Sequence, residues 1–165
     1  MNRLLPLAAL CILAPGAALA HVSAQPSVAY AGAYQALRFQ IGHGCADRYA
    51  TTALTITAPA DVKVFRPQPK PGWSLSIDKA ANGKVMSVTW RGRLEADQFD
   101  DFAVLIQAPN AVEPLLFPAV QGCETGENRW VDPPPAMGDK ASPTPAPLVN
   151  ILAAPAADES HNHAQ

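Results

Sequence analysis

In "YQALRFQIG" the apolar residues Leu37, Phe39 and Ile41 alternate with Ala36, Arg38 and Gln40, which assigns one set to each face of an extended strand. "ATTALTITAP" repeats the pattern with Leu54 and Ile56, and "WSLSI", "VMSVTW" and "DFAVLIQAP" follow it along the chain. In these, Trp73, Leu75 and Ile77 share one face and Val104 and Ile106 share another. Between Ile77 and Met86, Asn82-Gly83 is the dipeptide a tight hairpin turn favours. No stretch after the amino-terminal segment carries a 3.6-residue apolar period over helical length. Short strands bounded by proline and glycine therefore predict an all-β chain folded as a β-sandwich, with Trp73 and Trp90 in its core.

The two ends follow other rules. Arg3 gives a positive start, Leu4 to Ala17 an apolar run, and Ala18-Leu19-Ala20 the small-residue pattern of signal-peptide cleavage. The run is too short, and too interrupted by Pro6 and Pro15, to span a bilayer. Leu10 precedes Cys11 where a lipoprotein signal needs a small residue. Residues 1–20 are thus expected to be a cleaved signal peptide, and the mature chain to be exported to the periplasm, to start at His21 and to have no stable membrane insertion. Residues 21–133 then form the sandwich domain. From "DPPPAMGDKASPTPAP" onward proline is dense, so residues 134–165 are expected to be a proline-rich, largely disordered tail. Within it Leu148 to Leu152 either docks as another strand or stays loose. His161 and His163, near the end, are either a weak metal contact or part of a solvated terminus.

Composition removes several function classes. Lys+Arg 12 against Asp+Glu 14 leaves no basic field for nucleic acid or acidic lipid. There is no G-x-S-x-G elbow, no H-E-x-x-H helix and no phosphate-cradling glycine loop. Of the three cysteines, Cys11 leaves with the signal, and Cys45 and Cys123 remain as an even pair in an oxidising compartment. A Cys45–Cys123 disulfide is expected; two thiolate metal ligands are the alternative.

A histidine at a mature amino terminus offers two nitrogens from one residue, the α-amino group and ring Nδ1, which close a chelate around Cu(II). The amine's ordinary pKa of ~7.7–8.0 lets a Lewis-acidic metal displace its proton near neutrality. Imidazole and tetragonal nitrogen and oxygen donors suit Cu(II), which tops the divalent affinity order, although Zn(II) accepts the same donors. The plain alternative is a cleavage site that happens to precede a histidine.

Several motifs occur in order: "AHVSAQPS" with Gly32 and Tyr34 after it, "HGC" at His43 to Cys45, "PKPGW" at Pro69 to Trp73, "FDDF" at Phe99 to Phe102, and "FPAVQGCETGENRW" at Phe117 to Trp130, then the proline-rich exit. In these the chain resembles the YcnI-like exported or periplasmic copper-binding domain family, over almost the whole mature domain. The resemblance implies an immunoglobulin-like β-sandwich that holds Cu(II) through the amino-terminal histidine alone, with a carboxylate and a tryptophan completing the site. His21 matches the bracing histidine and Trp130 the tryptophan. The chain departs from the family at the carboxylate, where "GHGCADR" leaves His43 or Asp47 to serve; His43 is equally readable as a structural loop histidine. Asp101 is a reserve carboxylate, although Asp100 and Asp101 also read as a solvated strand start. The function implied is copper homeostasis or delivery without catalysis. The partners are then the copper ion, and a second periplasmic copper chaperone or a membrane copper transporter. The alternative class is an oxidative enzyme of the lytic polysaccharide monooxygenase type, which needs a second bracing histidine, here only His43, and an exposed aromatic plane. Aromatic residues are 7% of the chain and fall mostly in strands, which favours binding. A CopC-like chaperone shares the leading histidine but lacks the "HGC" and "CETGENRW" elements.

Overall fold

The alternating stretches form strands, and shorter strands join them. The computed structural model describes residues 21–45 and 48–155. In chain order the strands are β1 (Val22–Gln25), β2 (Val28–Tyr30), β3 (Tyr34–Ile41), β4 (Thr51–Thr57), β5 (Val64–Pro67), β6 (Ser74–Lys79), β7 (Val85–Leu94), β8 (Asp100–Gln107), β9 (Pro114–Leu116), β10 (Ala119–Cys123), β11 (Glu127–Trp130) and β12 (Leu148–Leu152). They build an immunoglobulin-like sandwich. One sheet runs β1-β3-β8-β5, the other β11-β10-β4-β7-β6, and a small sheet runs β2-β12-β9. The described residues contain no α-helix.

Strand alternation translates into burial. Leu37, Phe39 and Ile41 on β3, Leu54 and Ile56 on β4, and Phe102, Val104 and Ile106 on β8 are all buried. Aromatic rings lock the layers together. Phe39 meets Phe117 edge-on at 5.3 Å, while Trp73 and Trp90 contact Phe102 at 4.8 and 5.4 Å. Trp90 is fully buried and its Nε1–H donates to the Gln68 carbonyl at 3.0 Å, so burying this indole leaves no donor unmet. Ile77 departs from the pattern, being 42% exposed. It lies on β6, the edge of its sheet, and lines an open cleft instead of the closed core. The turn between β6 and β7 is where Asn82-Gly83 places it: Gly83 has φ +82°, and Asn82 Oδ1 accepts from the Lys84 amide at 3.1 Å.

Leu148 to Leu152 takes the docked course. β12 runs parallel to β2, with Ile151 opposite Ala29, and antiparallel to β9, with Val149 opposite Leu115. Val149 and Ile151 are buried, so the sandwich continues past Pro133 to Leu152. The proline-dense connection is anchored where it leaves β11: the amides of Val131 and Asp132 donate to the Thr144 carbonyl, and that of Ala146 to the Asp132 carbonyl. Proline has no N–H to satisfy and fixes its own φ, so a few such anchors hold a long run without a ladder. The hydroxyls of Ser142 and Thr144 both donate to the Asp132 carboxylate. These bonds, Ser142's first, hold the Asp132 carboxyl below its ordinary value.

A carboxyl whose folded pKa is depressed stabilises the fold above its unfolded pKa, and that contribution is lost as pH falls through the folded value. Melting temperature is accordingly expected to fall below about pH 4. Asp132→Asn should melt lower near neutrality and show a smaller acid decline. Thermal melts between about pH 3 and pH 7 check this, and equal declines in both proteins would contradict it.

Candidate metal centre

β1 pairs antiparallel with β3, with Val22 opposite Ile41. His21 therefore stands one residue beyond the last pair, at the end of the first sheet where β3 gives way to Gly42. Trp130 comes from the other sheet: it ends β11 and pairs with Ala119 on β10. The His21 and Trp130 rings lie 5.1 Å apart between centroids, tilted by 45°. An exposed imidazole on one sheet thus rests against a buried indole of the other.

Trp130 is only 2% exposed, and its Nε1–H is the one buried side-chain nitrogen or oxygen among the described residues without a hydrogen-bond partner. Leaving a buried donor unmet costs about 1–3 kcal/mol, and Trp90 shows that this fold can satisfy an indole. An indole N–H donates but has no lone pair to give. Trp130 is thus no nitrogen ligand; its ring walls one side of His21, and its N–H is left without an acceptor.

The hairpin that carries Trp130 is fixed from beneath by side chains that strand alternation alone would have made apolar. Gln121 is fully buried, its Nε2 donating to Thr51 Oγ1 at 2.7 Å, while its Oε1 accepts from Asn128 Nδ2 at 3.3 Å. Asn128 lies two residues before Trp130, on the same face of β11. The Cys45–Cys123 disulfide, with Cα atoms 5.8 Å apart, ties the segment after β3 to the end of β10. Next to it, Glu124 accepts from Arg93 at 2.6 Å and from the Ala50 amide at 3.2 Å. The Arg93 hydrogen bond, then the Ala50 amide, hold the Glu124 carboxyl below its ordinary range.

His43 is half-buried, and its Nδ1 lies 2.8 Å from the Gly44 carbonyl, so the neutral ring carries its proton on Nδ1. Asp47 lies outside the described residues. Asp101 is not beside His21: it sits on β8, beyond β3, where its carboxylate accepts from Gln40 at 3.1 Å. Its neighbour Asp100 is held by Lys70 at 2.6 Å. Among the described residues no three His, Cys, Asp or Glu side chains are grouped to hold a metal. What the structure brings together is His21 and Trp130.

A family model described as a domain of unknown function, DUF1775, matches residues 21–151, from His21 into β12. The chain belongs to the DUF1775 family. The YcnI-like copper-binding resemblance read from the motifs and this DUF1775 match describe the same domain. The DUF1775 chain is 28% identical over 148 residues to a protein of Bacillus subtilis (strain 168) described as copper-binding protein CutI, an alignment covering 87% of this chain and 68% of that one. It also superposes on a crystal structure of an uncharacterized Nocardia farcinica protein described as having an immunoglobulin-like fold. That likeness has a TM-score of 0.69 at 32% identity and covers 79% of this chain and 97% of the other.

The loop bearing His43 packs tightly. A Cβ on Gly44 would fall 2.6 Å from the Ala96 Cα and 2.8 Å from the Tyr49 carbonyl oxygen, both backbone atoms that cannot swing aside. Gly44→Ala is expected to destabilise the domain by about 1–3 kcal/mol, read from the denaturant midpoint; an unchanged midpoint would contradict the packing described.

Proposed function

We propose that this protein is an exported Cu(II)-binding protein of copper homeostasis or delivery, whose metal is held by the amine and imidazole of His21 once residues 1–20 are removed. The observation that carries the reading is the exposed His21 ring set against the buried indole of Trp130, whose Nε1–H has no partner. The copper-binding description of the Bacillus subtilis relative supports the choice of metal.

The donor chemistry fits. Freed from its peptide bond, the His21 nitrogen becomes an amine of pKa ~7.7–8.0, which a divalent metal deprotonates near neutrality. Amine and Nδ1 then bind in the tetragonal geometry that Cu(II) prefers. Trp130 contributes no lone pair; its N–H donates to an oxygen on the metal, and its ring keeps water from one side. His43 and Asp47, two residues before and after Cys45 in the sequence, are the candidates for a further ligand. A site with so few protein donors exchanges its cargo readily, which suits handover to an acceptor such as another periplasmic copper chaperone or a membrane copper transporter. Binding and transfer, rather than catalysis, is the role this supports.

Cu(II) titration of the mature chain, followed by quenching of tryptophan fluorescence, is expected to show a single tight equivalent. His21→Ala, and a chain with one extra residue ahead of His21, should each lose most of that affinity. Trp130→Phe keeps the aromatic wall but deletes the N–H, and should weaken binding by about tenfold. Full affinity in the extended chain would overturn the amine as a ligand.

A further inference from the structure

The edge of the sandwich opposite β1 and β11 carries a second feature. Between β5 and the β6–β7 hairpin lies an open cleft of about 790 Å³. Its floor is apolar, with Val62 and Phe65 buried and Val85 half-buried. Its rim is basic: Lys63, Arg66, Lys79 and Lys84 line it against the single acid Asp61. In a chain with Lys+Arg 12 and Asp+Glu 14 this is a strong local reversal of sign. Lys84 Nζ bonds the Ala60 carbonyl across the cleft. Among the described residues the ion pairs belong to Lys70, Arg93 and Arg129, so the carboxylates there leave Lys63, Arg66 and Lys79 unneutralised.

Both walls are also sheet edges. β5 pairs only with β8, and β6 only with β7. Four consecutive residues of β5, Val64 to Pro67, line the cleft, whereas from β6 only the alternate residues Ile77 and Lys79 do. Consecutive lining is what a strand shows when its backbone edge faces the space; alternate lining is what it shows when one side-chain face does. An unpaired backbone edge beside an apolar floor is a site for strand addition, and the basic rim selects the sign of what is added.

We propose that this cleft docks an extended acidic segment of a partner protein, which adds as a strand along β5. Its apolar side chains meet Ile77 and Val85, while its carboxylates reach the charged heads of Lys63, Arg66 and Lys79 at the ends of their long, flexible stems. Its placement leaves His21 clear. β5 and β6 are the sheet edges opposite β1, which follows His21, and β11, which carries Trp130. Three or four strand spacings put about 14–19 Å between them. A partner held there keeps His21 open to solvent.

The test uses the full mature chain and a capped hexapeptide of alternating glutamate and valine, with the lysine and valine peptide as control. Saturable binding of the acidic peptide alone is expected, weakening as salt is raised and accompanied by slowed amide exchange in β5. Lys63→Glu with Lys79→Glu should reduce affinity at least about tenfold, while Lys63→Arg with Lys79→Arg retains it. Copper titration should be the same in all variants, so a failure here is distinct from a failure of the metal reading. No binding, or binding that leaves β5 exchange unchanged, would overturn the proposal. Displacement by equimolar laurate would assign the cleft to a small anionic ligand instead. A gain in peptide affinity on Asp158→Asn with Glu159→Gln would assign it to the chain's own end, and overturn it equally.

Discussion

The backbone pairing of β1 with β3 is the interaction on which the site depends. Here Val22, Ser23, Ala24 and Gln25 pair in turn with Ile41, Gln40, Phe39 and Arg38, and Val22 and Ala24 are buried in the core. The ladder therefore fixes the chain up to the residue just after His21. What remains for His21 is the choice of side chain direction, and the contact with Trp130 resolves it.

Everything around that contact serves to hold the second sheet's contribution in register with the first. Trp130 is at the end of a short hairpin that would fray if left to its own four cross-strand pairs. Gln121, Thr51 and Asn128 join it to β4 through buried side-chain hydrogen bonds, and the disulfide joins the same hairpin to the segment leaving β3. Arg93 and Glu124 add a third tie from β7. Against this well-satisfied surround, the unmet Nε1–H of Trp130 is the exception among the described residues.

Much of this was legible in the sequence. Strands of seven to ten residues, β3, β4, β7 and β8, announce themselves because two-residue alternation needs length to be seen. Strands of three or four residues, such as β2, β5 and β9, give no period, and β5 and β9 also carry proline at an end. β12 was visible only as the apolar run "LVNIL" in a proline-rich context; whether it docks depends on β2 and β9, distant partners that no local pattern reveals. His21 and Trp130 were singled out by motif. The polar support beneath Trp130 was not, since Gln121 and Thr51 look like ordinary surface positions until the β4–β10 pairing buries them. Asp101 looked available as a lone strand-start carboxylate, and only tertiary pairing with Gln40 on β3 shows it engaged away from His21. The basic cleft was hidden for the same reason: its lysines come from separate stretches, and the net charge of the chain conceals them.

The central claim is that a terminal amine and an imidazole from His21 together hold copper beside Trp130. Anomalous diffraction at the copper edge, from crystals of the mature protein loaded with Cu(II), tests it most directly. One principal peak is expected within bonding distance of both the His21 amine and its Nδ1, on the side of the ring facing the Trp130 indole. A principal peak bound by other residues, with the His21 amine unligated, would contradict it.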